Sequence, residues 1–230
     1  MTPDRCAVVF DWNGTLLDDT ALCATSTSKV SQKLGGHQVT IEKLQENYIL
    51  PLTALYTRFG CEKEVIEKNI SIVYDDFSAH YDQHVHLVPL REGAEHVLTS
   101  LQANGHKSVI LSNHTVSCIS QQVDRLGLRE YFTDILANGA QEYLDLMHKA
   151  DKGSRLKAYV DRHNIERALV VGDSAEEIQI AHHYGFLGVG ITGGFVSEER
   201  IRAANPDFVI HSLTELPAIA AEVFGRGGAL

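Results

Sequence analysis

Short apolar runs recur along the chain, each stopped by a polar cluster. The first is Cys6-Ala-Val-Val-Phe10, closed by the turn Asp11-Trp-Asn-Gly-Thr15. Others stand at Ser108–Leu111, Ala168–Val171, Leu187–Ile191 and Asp207–Ile210, with a weaker one at Phe132–Leu136. Runs this short, without polar alternation, predict strands covered on both faces. Between them, helical periodicity covers Glu92–Asn104, Thr115–Leu126, Gly153–Arg162, Glu176–Tyr184 and Leu213–Phe224. Strands alternating with helices predict an α/β fold with a doubly wound parallel sheet.

Residues 18–88 break the alternation. Helices are predicted over Ala21–Leu34, Ile41–Asn47, Leu52–Phe59 and Glu64–His80, punctuated by Gly35-Gly36, Pro51 and Gly60. The simplest organisation is an α/β core from residues 1–17 and 89–230, with an all-helical insert at 18–88. Pro89 marks the return to the sheet, and Gly225–Leu230 reads as a frayed tail.

Composition narrows the functional classes. With 44% hydrophobic and 22% charged residues in a chain of 230, a full globular core is expected. The net charge of −10 repels phosphate backbones, so nucleic acid is not an expected partner. An anionic substrate would need local positive charge at its site. Cys6, Cys23, Cys61 and Cys118 form no CxxC pair and read as reduced thiols. No apolar run reaches the length of a signal-peptide core or a membrane span, so a soluble, cytoplasmic protein without a membrane partner is expected.

Ligands of doubly wound sheets bind at the C-terminal ends of the strands. Asp11 follows the first strand, where a carboxylate can act as nucleophile or metal ligand, or simply end the strand and cap a helix. Gly14 permits a sharp turn, and Thr15 adds a hydroxyl and an N–H. Ser112 and Asn113 follow the next run and suit an anion contact or a plain N-cap. Lys152 precedes a helix and could supply a point charge, with Lys149 as a rival. Asp173, Glu176 and Glu177 crowd one strand end, which suits a hard cation or a helix with an acidic first turn.

In this order the four stations resemble the motifs of the haloacid dehalogenase superfamily of phosphohydrolases over nearly the whole chain. Asp11-Trp-Asn-Gly-Thr-Leu-Leu-Asp18 resembles the first motif, Ser112 the second, Lys152 the third and Gly172–Glu177 the acidic fourth. Leu90-Arg-Glu-Gly-Ala94 and Leu126–Phe132 resemble the phosphoglycolate phosphatase-like branch. The resemblance implies a Mg²⁺-dependent phosphatase for a small phosphorylated metabolite. Asp11 would form an aspartyl phosphate, and Mg²⁺ would be held by Asp11, the Asn13 carbonyl and Asp173, with Glu177 assisting. Lys152 and Ser112, with backbone N–H groups of the Gly14–Thr15 and Asn113 turns, would bind the phosphate, and the insert would be a cap. Neither the substrate nor the oligomeric state has a readable code.

One position departs from this pattern. The family's phosphatases carry a second Asp two residues after the nucleophile, as general acid and base, and here it is Asn13. An amide can do neither, and such catalysis contributes about 10²–10⁴-fold. Restoring Asp at 13 is therefore expected to speed turnover of esters with poor leaving groups. A phosphate-binding or regulatory module without turnover is the alternative. C–halogen or C–P cleavage is a remoter one, with Trp12 a faint echo of the latter and Lys43 the nearest insert lysine. Of the 12 histidines, His84/His86 and His182/His183 read as hinge or surface residues, and His114 lies nearest the expected crevice.

Overall fold

A computed structural model describes residues 5–139 and 152–225. Lys149 and the tail beyond Gly225 lie outside the described residues. Six strands form one parallel sheet in the order β3-β2-β1-β4-β5-β6. They are β1 (Cys6–Phe10), β2 (Lys107–Thr115), β3 (Phe132–Asn138), β4 (Arg167–Gly172), β5 (Leu187–Ile191) and β6 (Phe208–Ile210).

β1 is the central strand, and Ala7–Phe10 are fully buried. Its side chains alternate between two cores, as the pleat requires. Cys6, Val8 and Phe10 enter one, with residues of α6 (Ala94–Ala103), α7 (Val116–Arg125) and α11 (Leu216–Gly225). Ala7 and Val9 enter the other, with residues of α8 (Gly153–His163) and α9 (Ala175–His183). This two-sided burial explains why the strands read as unbroken apolar runs.

From β1 the chain winds one way to β2 and the other way to β4, so the C-terminal end of β1 is a switch point where a crevice opens. Between β1 and β2 in the chain lie α1 (Thr20–Lys33), α2 (Ile41–Asn47), α3 (Leu52–Arg58), α4 (Lys63–Lys68) and α5 (Ile70–His84), the segment expected as an insert. They enclose an apolar cluster of their own around Val30, Tyr56, Ile66 and Val73. Where the chain leaves and re-enters the core, the Asp18 N–H donates to the Pro89 carbonyl at 3.0 Å and that of Arg91 to Leu16 at 2.9 Å. The insert also touches the core beyond β5. Arg200, on α10 (Glu198–Ala203), donates to the Gln45 and Tyr48 carbonyls at 3.0 and 2.7 Å.

Several details differ from the sequence reading. The helix expected over Glu64–His80 is two, broken at Asn69 (φ −125°, ψ 34°), whose side chain donates back to the Val65 carbonyl at 2.7 Å. α10 was not expected, because six residues are too few for a visible period. The segment after α5 is not an extended hinge: His84 ends the helix and His86 sits in a 3₁₀ turn, Val85–Leu87. The last helix begins as a 3₁₀ turn at Leu213–Glu215, closed by a Ser212/Glu215 capping box. β2 runs on past Leu111 with a register shift, and Thr115, not Ser112 or Asn113, caps the following helix.

No described helix is long and apolar enough to cross a membrane. All four cysteines are free, with Cys6, Cys23 and Cys61 buried.

Candidate active site

Strand register brings the acidic stations together. Phe10 lies opposite Val171, so Asp11 leaves the sheet beside Gly172 and Asp173 follows one residue on. Glu177 reaches the same place from α9, because its side chain occupies the space a Cβ at Gly172 would need, 2.1 Å from Glu177 Cγ. One carboxylate oxygen each from Asp11, Asp173 and Glu177 lie within 4.8 Å of one another. Asp173 is fixed by the Phe195 N–H and, at 3.3 Å, by the Thr15 hydroxyl.

Lys152 joins this group from the start of α8. It pairs with Glu177, with Asp11 at 3.2 Å and with Glu176 at 3.6 Å, and only 2% of its side chain is exposed. Burial works against its ammonium, but the surrounding carboxylates more than offset that and hold it protonated. Burial pushes Asp11 well above the usual carboxylate range, against Lys152 and reinforced by Glu177, and pushes Asp173 up to about 7.

Asp11, Glu176 and Glu177 thus share one described ammonium, and Asp173 lies beside them. That excess of carboxylates over cations among the described residues, offered as oxygen donors, fits a hard divalent cation such as Mg²⁺.

The anion-binding candidates divide. Ser112 is buried, lines the cavity and accepts from the His114 N–H at 3.1 Å, which leaves its own proton to donate. Asn113 lines the cavity too, but its amide donates to Glu176 at 2.7 Å. Gly14 and Thr15, expected as substrate contacts, are engaged within the protein. The Gly14 N–H donates to Asp19 at 2.8 Å, and Thr15 holds Asp173. Gly14 has φ +71°, and a Cβ there would lie 2.3 Å from Asp173 Oδ2, so this turn admits only glycine.

The Asn13 side chain faces the insert. Its amide donates to Asp19 Oδ2 at 2.7 Å and to the Tyr81 hydroxyl at 2.9 Å, and Tyr81 donates to Asp19 at 2.6 Å. Asp19 is fully buried, and that burial, against hydrogen bonds from Tyr81, Asn13 and Gly14, pushes it up to about 6. Sequence reasoning missed Asp19 and Tyr81 as parts of this arrangement. The repeated acid in Asp18-Asp19 was a signal for the first; Tyr81, sixty-two residues from Asp19, had none.

The remaining candidates fall away from the site. Trp12 is buried in the sheet core and donates to Gln122, and Lys43 is exposed on α2. Among the described residues, Lys152 is the one lysine lining the cavity. His182 pairs with Asp207 at 2.9 Å on the surface, whereas His114 is half-buried at the cavity wall.

Residues 8–191 match the haloacid dehalogenase-like hydrolase family. The chain belongs to this family. Among curated proteins, this hydrolase is 27% identical over 225 residues to a phosphoglycolate phosphatase of Vibrio parahaemolyticus, covering 93% of this chain and 95% of that one. It is 26% identical over 231 residues to a phosphoglycolate phosphatase of Agrobacterium fabrum, covering 96% and 95%. A solved structure described as a predicted phosphatase from Clostridium acetobutylicum superposes with a TM-score of 0.78 at 22% identity, over 95% of this chain and 99% of that one. One described as a predicted phosphoglycolate phosphatase from Haemophilus somnus gives 0.73 at 17% identity, over 96% and 99%. These two likenesses concern the fold.

Proposed function

We propose that this hydrolase is a Mg²⁺-dependent phosphatase acting on a small phosphorylated metabolite, with Asp11 as nucleophile. The observation that carries the reading is the Asp11 carboxylate at the switch point, 3.2 Å from a buried Lys152, facing a cavity that Ser112 also lines. Phosphoglycolate is the substrate that the names of the relatives suggest.

In the first step an Asp11 oxygen bonds to phosphorus and the bond to the leaving alkoxide breaks. Lys152, held protonated, offsets charge on the phosphoryl oxygens, and the Ser112 hydroxyl donates to one of them. In the second step water attacks the phosphorus of the aspartyl phosphate and loses a proton to solvent, from which the alkoxide of the first step takes one up; phosphate is released and the Asp11 carboxylate restored. Asp11, Asp173, Glu177 and the Asn13 carbonyl are the groups that would hold Mg²⁺, whose charge stabilises the same phosphoryl oxygens when it is bound. Asn13 can neither protonate the alkoxide nor deprotonate the water, which makes the aspartyl phosphate long-lived on this reading.

Residues 18–88 act as a cap on a core of 1–17 and 89–230. The apolar cluster within the insert and its polar contacts to α10 support this division. The four free thiols suit a cytoplasmic location.

Hydrolysis of p-nitrophenyl phosphate, measured with Mg²⁺ and with chelator, tests the reading. Turnover should require Mg²⁺ and fall by at least about 10³-fold in Asp11→Asn. Binding of inorganic phosphate without any turnover would instead establish the non-catalytic alternative that Asn13 favours.

A further inference from the structure

We infer that the site takes a phosphate monoester whose alcohol portion is uncharged and ring-sized, and that it discriminates against esters carrying a second anion. This rests on the phosphatase reading above and names the substrate class of the same site. The observation is the wall that faces Asp11. Beyond the carboxylates the cavity continues between α1, α3 and α5, and its volume is about 120 Å³. The wall there is Tyr48, Leu52, Leu55, Tyr56, Tyr74 and Phe77.

Charge on this wall has one sign. Among the described residues lining the cavity, Lys152 is the one lysine or arginine, and Asp11, Glu176 and Glu177 already hold it. His114 adds no charge near neutral pH, because burial pulls its imidazole down to about 4. Among the described residues, the one carboxylate that residues 18–88 contribute to the cavity lining is Asp19. A substrate carboxylate placed here would lose its hydration and meet no cation among the described residues of this wall. An apolar ring would lose only unfavourable hydration, against walls already built of rings. Phe77 and Tyr81 stack with centroids 5.5 Å apart, and Tyr48 meets Phe195 edge-on at 5.2 Å.

Three esters of primary alcohols separate these terms at similar leaving-group chemistry: 2-phenylethyl phosphate, ethyl phosphate and phosphoglycolate. kcat/KM is read from phosphate release by the full chain with Mg²⁺. Burial of the phenyl ring should favour 2-phenylethyl over ethyl phosphate by about 10–100-fold, and phosphoglycolate should be the poorest. Leu52→Ala should shrink the phenylethyl-to-ethyl ratio, and Leu52→Arg should raise phosphoglycolate relative to ethyl phosphate. Phosphoglycolate turned over as fast as 2-phenylethyl phosphate would overturn the inference and leave the phosphatase reading standing. No phosphate release from any of the three would overturn both.

Discussion

Replacing Asn13 by Asp turns a hydrogen bond into a repulsion. The Asn13 amide lies 2.7 Å from Asp19 Oδ2, with Asp19 fully buried and Asn13 half-buried. Two unit charges at that distance, with an effective dielectric of about 20, repel by about 6 kcal/mol. The pair escapes most of this by keeping one proton between them, as carboxylate pairs do. Asn13→Asp alone should therefore cost about 2–4 kcal/mol of stability at pH 8, less at pH 5, and, against the expectation from the sequence, gain little activity, because Asp19 shares its proton.

The exchange Asn13→Asp with Asp19→Asn restores one amide facing one carboxylate. It should recover about 2–3 kcal/mol of coupling, within the range of contacting pairs. The same double variant now carries an unshared carboxylate at position 13. Its turnover of alkyl phosphates should rise by about 10²–10⁴-fold over wild type, if the acid reaches the leaving oxygen.

The pH dependence has a definite sign. Asp19 is raised from 3.8 to about 6, so the folded state favours its protonated form. That contribution is fully present below pH 3.8 and is lost as pH rises through about 6. For this fully buried acid it amounts to about 3 kcal/mol, and Asp19→Asn should gain on wild type by up to that much over the same window. Urea denaturation of the four proteins in chelator, at pH 5 and 8, closes the cycle. Single effects that add to the double within about 0.5 kcal/mol would refute the contact and the reasoning built on it.

Asp173→Asn should abolish Mg²⁺-dependent activity. Asp173 is pushed up to about 7, so in chelator the variant should gain stability on wild type between pH 5 and 8, and excess Mg²⁺ should reverse the order in thermal melts. Gly14→Ala combines a strained φ of +71° with a Cβ on Asp173 Oδ2, and should weaken Mg²⁺ binding by titration calorimetry while costing more than about 1 kcal/mol in urea. Tyr81→Phe removes a hydroxyl that both donates to Asp19 and accepts from Asn13; the loss should be about 1–3 kcal/mol in urea, and no loss would remove Tyr81 from the cluster.

Most of the sheet was legible in the chain, because a strand buried on both faces must be apolar throughout. Cys6–Phe10 and Leu187–Ile191 are such runs, and both strands have those limits. Asp11 and Asp173 were legible for a related reason: a carboxylate ending a buried run has nowhere to go but the rim of the sheet. Short helices were less so, as α10 and the break at Asn69 show, because one or two turns carry too little periodicity and a single side-chain hydrogen bond can interrupt them. Only tertiary structure decided which way the polar groups of the first loop point. Gly14 and Thr15 read as ligand contacts but are consumed by Asp19 and Asp173, and Asn13 read as a bare substitution but belongs to a cluster with Asp19 and Tyr81. Those partners meet because α5 packs along α1 and so carries Tyr81 to Asp19 and Asn13. Sequence composition records how many charges there are, while packing alone sets which of them lose water and which partner each one finds.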